Sequence, residues 1–239
     1  METVEATIKN SVDNSLDELH KNTSQYFKDH KYLVLKNFID SNMAGLLYQY
    51  SLVKVQQMDF KSMFDKAAYN ESWDGKFGDE QAPISYNCYA DAMMETILAA
   101  STKTLSQYVG FELTPNYSYW RLYQQGEVLL RHRDRESCEV SATMCLGYNV
   151  SNLDQEKHPG YNWPMFVETE DAPDGVPINL EPGDIILYRG CDVEHWREKF
   201  LGLNHAQLFL HYNDPTGPYG IRLDGRPILA VPKQFQNQT

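Results

Sequence analysis

The sequence predicts an α+β fold in which helices come first and a β-sandwich or barrel follows. Two features predict it. Apolar residues recur at helical spacing in segments of the first 114 positions, and from residue 115 the spacing drops to two. With 239 residues, 42% of them hydrophobic, the chain can also build one substantial core. We expect one domain over 1–239, with N-terminal helices to about residue 114, a barrel over 115–213 and a tail over 214–239.

Taken in order, Leu16, Leu19, Tyr26 and Phe27 fall on one helical face, behind Asn14 or Ser15 as a cap. Tyr32 to Leu35 reads as a short strand. Asp40 and Ser41 suit the start of a second helix, with Ala44, Leu47 and Ser51 on one face. Residues 59–88 contain Trp73, Gly75, Phe77, Gly78 and Pro83 and read as a long loop, with Trp73 and Phe77 as lid candidates. A third helix covers 91–108 and ends near Gly110. Then Tyr117, Tyr119, Arg121 and Tyr123 alternate with Ser118, Trp120 and Leu122, as a strand requires, with Trp120 in the core. Residues 128–134, 139–148, 165–168, 184–188 and 206–212 also read as strands. Pro182-Gly183 suits a type II turn before one of them. The stretch from Pro215, rich in proline and glycine, is expected to wrap the surface.

Composition excludes several classes. A net charge of −12, from 33 acids against 21 bases, repels phosphate backbones, so nucleic acid is not expected as a partner. No apolar run approaches the length of a membrane span. The opening Met1-Glu2-Thr3-Val4-Glu5 resembles neither a secretory signal nor a transit peptide, and a cytoplasmic setting is the expectation. Cys88, Cys138, Cys145 and Cys191 form no CxxC pair and read as thiols rather than disulfides or zinc ligands.

The chemistry-bearing motif is His132-Arg133-Asp134. On a strand, residues two apart share a face, so one imidazole and one carboxylate can converge on one ion. His195, after the apolar run 184–188, can supply a third donor from another strand. Two imidazoles and a carboxylate suit Fe(II), Mn(II) or Zn(II) and leave coordination positions open. His-x-Asp alone is a weak signal, because a lone histidine is more often a surface or packing residue.

Two longer segments carry a resemblance. Arg121-Leu-Tyr123-Gln-Gln-Gly126-Glu-Val-Leu-Leu-Arg-His132-Arg-Asp134 looks like the start of the catalytic barrel in Fe(II)/2-oxoglutarate-dependent oxygenases, in the style of the prolyl-4-hydroxylase-like branch. Pro182-Gly183-Asp184-Ile185-Ile186-Leu187-Tyr188 followed by His195 looks like that family's strand and distal histidine. The resemblance covers about 117–213. It implies a double-stranded β-helix, a jelly-roll or cupin-like barrel buttressed by the preceding helices. It implies His132, Asp134 and His195 as metal ligands and catalytic residues, Fe(II) as metal, 2-oxoglutarate and O2 as co-substrates, and ascorbate as a reductant. Tyr123 would hydrogen-bond 2-oxoglutarate. The aspartate ligand implies hydroxylation of an unactivated C–H, in a prolyl residue of a peptide or protein or in a small amino-acid-like molecule. One departure stands out. The family places a lysine or arginine after the distal histidine to pair with the far carboxylate of 2-oxoglutarate. Here that region offers His205 and Gln207, with Arg197 and Arg121 as the remaining basic candidates. The alternative is a cupin-like metal-binding jelly roll that is non-catalytic or works without 2-oxoglutarate.

Overall fold

The computed structural model describes residues 4–236; the side chains of 1–15 and of Asp17 lie outside that description. The chain opens with α1 (Val4–His30), so Asn14 and Ser15 fall inside the helix and do not cap it. The expected apolar face is also corrected. Leu16, Leu19 and Tyr26 are exposed and only Phe27 is buried. The docking stripe is instead His20, Ser24 and Phe27, which meet Tyr108, Gly110 and Phe111. Small Ser24 permits this approach, which a hydrophobicity pattern does not register.

Strand β1 (Tyr32–Leu35) follows as expected. Asp40 caps α2 (Ser41–Phe64), its carboxylate accepting from the amides of Asn42 and Met43. Ala44, Leu47, Ser51, Val55 and Met58 form its buried face. The segment expected as one long loop is partly ordered into α3 (Glu71–Asp74), β2 (Lys76–Phe77) and β3 (Tyr86–Tyr89). Each piece is too short to show a period, and β3 exists because Tyr86 and Cys88 bury beside Trp120 of the next strand. Asp91 caps α4 (Ala92–Val109), and Gly110 ends it at φ 85°, where glycine carries no Cβ penalty.

The strands are β4 (Thr114–Gln124), β5 (Leu129–His132), β6 (Val140–Asn149), β7 (Met165–Thr169), β8 (Ala172–Ile178), β9 (Ile185–Tyr188), β10 (His195–Arg197) and β11 (Asn204–Asn213). Antiparallel pairing gives a larger sheet of order β1-β9-β6-β11-β4-β3-β2 and a smaller one of order β5-β10-β7-β8. The two sheets make the double-stranded β-helix.

The faces of the larger sheet differ in chemistry. Trp120, Leu122, Val140, Ala142, Met144, Leu208 and Leu210 pack outward against α2 and α4 in the main core. The alternate residues point the other way. They are Tyr117, Tyr119, Arg121 and Tyr123 on β4, Ser141 and Thr143 on β6, and His205, Gln207, Phe209 and His211 on β11. A folded sheet ordinarily buries apolar residues between layers. Here the face toward the smaller sheet is polar and aromatic, as a ligand cavity requires.

The tail also departs from expectation. Asp224 and Arg226 are buried, and Arg226 donates to Glu95 of α4 at 2.7 Å. The tail is therefore pinned into the fold by charge as well as laid over it. Among the described residues no helix is long and apolar enough to cross a membrane.

Candidate metal centre and its cavity

β5 and β10 are paired with His195 opposite His132, which brings two imidazoles together from distant parts of the chain. Their rings lie 4.3 Å apart. Asp134 follows β5 and is clamped by its own backbone, with its amide donating to the Gly190 carbonyl at 2.9 Å. Its Oδ1 stands 3.6 Å from His132 Nε2 and 3.5 Å from His195 Nε2. Two donors each about 2.1 Å from one ion stand roughly 3.0–3.4 Å apart, so adjustments of a few tenths of an ångström would complete the site. One ligand atom from each of the three residues lies within 4.8 Å of the others.

The tautomers are set for metal binding. His132 Nδ1–H donates to the Leu130 carbonyl at 2.7 Å and His195 Nδ1–H to the Val193 carbonyl at 3.3 Å. Both Nε2 lone pairs are thereby left for an ion. Burial, then the neighbouring His195, holds the His132 imidazole below its ordinary pKa, toward the neutral form a ligand needs. For Asp134 burial opposes the charge. The adjoining His195 and His211 rings and the hydroxyl of Ser141 outweigh it and keep the carboxyl well below the usual range.

A second layer supports Asp134, and sequence reading missed it. Ser141 Oγ donates to Asp134 Oδ2 at 2.7 Å and stands 3.0 Å from Nδ1 of His211, whose N–H donates to it. This fixes which carboxylate oxygen faces the imidazoles. Gly190 leaves the space: a Cβ there would collide with the Cys138 carbonyl and the Asp134 carboxylate. The available signal was the alternation on β11, which places His211 on the same face as His205 and Gln207. Asp134, Cys138 and His211 form a second close group. Burial pushes the Cys138 thiol up, and His211 Nδ1 is engaged by Ser141, so the His132–Asp134–His195 set is the better ligand group.

These residues line a cavity of about 490 Å³ together with Tyr117, Tyr119, Arg121, Arg197 and Phe209. Arg121, aimed inward as expected, already has an anion: Asp79 accepts from its guanidinium at 2.5 Å and from Tyr119 at 2.6 Å. Tyr123 is fully buried and its hydroxyl accepts from Arg121 at 3.2 Å. His205 is buried against Tyr148, Trp163 and Phe200, and burial drives its pKa well below the ordinary value. Arg197 is buried beside Gln207, its Nη2 donating to Gln207 Oε1 at 3.2 Å. Among the described residues Nδ1 of His205 and Nε2 of Gln207 have no hydrogen-bond partner.

One smaller expectation is corrected. Trp73 and Phe77 do not line the cavity; Asp79, Glu80 and Gln81 from the same stretch do. Arg133 pairs with Glu168 of β7 and Arg135 with Asp224 of the tail. Cys88, Cys138 and Cys145 are buried free thiols and Cys191 is half-buried and free, as expected.

No family model matches the chain, and no curated protein matches it. Solved structures do. A Pseudomonas putida prolyl-4-hydroxylase is 15% identical with a TM-score of 0.53, covering 83% of this chain and 98% of its own. A prolyl hydroxylase from Trichoplax adhaerens, in complex with a hypoxia-inducible-factor peptide fragment, is 12% identical at TM-score 0.56, covering 84% and 91%. The non-haem α-ketoglutarate-dependent carbocyclase SnoK of nogalamycin biosynthesis is 12% identical at TM-score 0.57, covering 91% and 94%. The fold of this chain is thus the double-stranded β-helix of the Fe(II)/2-oxoglutarate oxygenases, prolyl hydroxylases among them.

Proposed function

We propose that the chain is an Fe(II)- and 2-oxoglutarate-dependent dioxygenase that hydroxylates an unactivated C–H. The observation that carries the reading is the set of three donors with both imidazole tautomers pre-set, at the wall of a polar cavity. The donor set fits Fe(II), since it offers three ligands on one face and leaves the rest open. The cavity fits a dicarboxylate, since its wall includes the buried guanidinium of Arg197, which has no carboxylate against it among the described residues.

In this reading His132, Asp134 and His195 hold the metal. When bound, the iron supplies the chemistry by which O2, 2-oxoglutarate and a C–H become succinate, CO2 and an alcohol. The protein supplies position. The Leu130 and Val193 carbonyls keep the imidazoles neutral and aimed, and Ser141 keeps the carboxylate from rotating. Tyr123, Arg121, Arg197, His205 and Gln207 are the proposed surroundings of 2-oxoglutarate. Leu129, Met165 and Phe209 make part of the cavity wall apolar. The substrate is proposed to be a prolyl residue in a peptide or a small amino-acid-like molecule. The Trichoplax neighbour, with its bound peptide, supports the first of these.

Succinate formation tests the proposal. Protein with Fe(II), ascorbate and 2-oxoglutarate under air is expected to release succinate, and His132→Ala is expected to release almost none. Equal succinate from both proteins sinks the oxygenase reading and leaves a cupin-like metal-binding or packing domain.

A further inference from the structure

Helix α2 is apolar on both sides. Its inner face packs on the larger sheet through Leu47, Val55 and Met58. Its outer face holds Met43, Leu46, Val53, Phe60, Met63 and Phe64 in water, all but Met43 at least 60% exposed. The other exposed residues of the helix are uncharged, namely Ser41, Asn42, Gln49, Gln56 and Gln57. Its three charged residues lie at the edges of this face. Lys61 reaches Asp74 at 2.7 Å, Lys54 reaches Asp91 at 3.8 Å, and Asp59 is half-buried. A helix that is apolar all round is ordinarily covered all round. The six apolar side chains together show roughly 800 Å² to water, more than a monomer usually leaves in one patch and about what each partner of a standard dimer buries.

We propose that two copies of this chain join through the outer faces of their α2 helices, packed antiparallel about a two-fold axis at Val53. The order of the stripe carries the choice of a second copy as occupant. Leu46 and Phe60 stand seven positions before and after Val53, Gln49 and Gln57 four, and Met43 and Met63 ten. An antiparallel pair centred on Val53 therefore sets Leu46 against Phe60 of its copy, glutamine against glutamine and methionine against methionine. A two-fold interface requires this self-complementarity, and the seven-residue spacing of Leu46, Val53 and Phe60 is that of a helix–helix seam. Charge agrees. Each copy carries −12, so like copies meet with least repulsion along a neutral face. A basic partner would find no acid on the stripe. An anionic membrane would find no free row of lysines beside it, since Lys54 and Lys61 are paired. The cavity opens on the opposite side of the larger sheet, so both sites of the dimer stay accessible.

Analytical ultracentrifugation of the full chain tests the interface. Wild-type protein at about 10 µM is expected to sediment at twice the mass of the chain. Val53→Glu sets two carboxylates against each other at the axis and is expected to weaken the dimer by about 100-fold or more. Val53 is 60% exposed, so the variant should keep the circular dichroism spectrum of the wild type. Should it misfold, Phe60→Lys, on the same stripe, reads the same loss. Mild oxidation tests the register. Val53→Cys is expected to cross-link to its own copy. Gln49→Cys alone is not, since those thiols would stand about 12 Å apart along the axis, beyond disulfide reach. A mixture of Gln49→Cys and Gln57→Cys is expected to cross-link again. Wild-type protein that stays monomeric to about 100 µM overturns the proposal, as does a dimer that Val53→Glu and Phe60→Lys leave intact. A monomer that co-sediments with phosphatidylcholine vesicles overturns it in favour of a lipid surface.

Discussion

Ser141→Ala is the sharpest probe of the metal centre, because Ser141 does not line the cavity and reaches the metal ligands through its bond to Asp134. The hydroxyl donates to a carboxylate at 2.7 Å, a charge-assisted bond worth about 1.5–3 kcal/mol. If that energy holds Oδ1 toward the imidazoles, its loss lowers metal affinity by about 10–100-fold, the range usual for second-layer partners of metal ligands. A separate effect falls on the metal-free protein. His211 Nδ1–H loses its acceptor in a buried place, at a cost of about 1–3 kcal/mol. Anaerobic Co(II) titration reads the first effect and urea denaturation without metal reads the second. Linkage ties them: a 30-fold weaker site removes about 2 kcal/mol of metal-dependent stabilisation at saturating metal. Ser141→Cys, a weaker donor, is expected to fall between alanine and wild type. Co(II) affinity within threefold of wild type in a folded Ser141→Ala protein refutes the reasoning.

Further outcomes are expected. Gly190→Ala places a methyl against the Cys138 carbonyl and Asp134 carboxylate, and metal affinity should fall at least as far as in Ser141→Ala. Arg226→Met leaves Glu95 buried without its cation and should cost about 3–5 kcal/mol, read as a melting point roughly 6–20 °C lower. A loss below about 1 kcal/mol contradicts it. His211 has its pKa pushed down by burial from 6.5 to about 4, so the unfolded chain takes the proton first as pH falls. Its contribution is flat above about pH 6.5 and is lost below it. Metal-free protein should be about 2 kcal/mol less stable at pH 5 than at pH 7 through this residue, and the drop should shrink by that amount in His211→Asn. His132 and His205, also lowered, add to the fall with the same sign.

What could be read in the sequence follows from how local the cause is. The Asp40 cap and the Ala44–Leu47–Ser51 face depend on neighbours within two turns, and both are present. The alternation on β4 separates Trp120 and Leu122 from Tyr117, Tyr119 and Arg121 in two dimensions and needs no partner to be seen. β8 was hidden, because Ala172 to Ile178 holds two prolines and a glycine; it is an edge strand, where missing amides are tolerated. β10 is three residues long, too short for any period. Arg197 appeared as one of four candidates, but its isolation from every carboxylate among the described residues is a fact about cross-strand neighbours. Likewise Ser141 and His211 acquire meaning only when β6 pairs with β11 at their register.

The anchoring of Arg226 and Asp224 has a practical consequence. Cutting the chain after Asn213 would keep every strand of the barrel, yet it would strand Glu95 in the interior and strip Arg135 of its acid. It would also delete Lys233 from the cavity rim. A minimal fragment designed from the strand inventory alone would thus be expected to aggregate, and reagents for studying this protein should carry their tags at the other end.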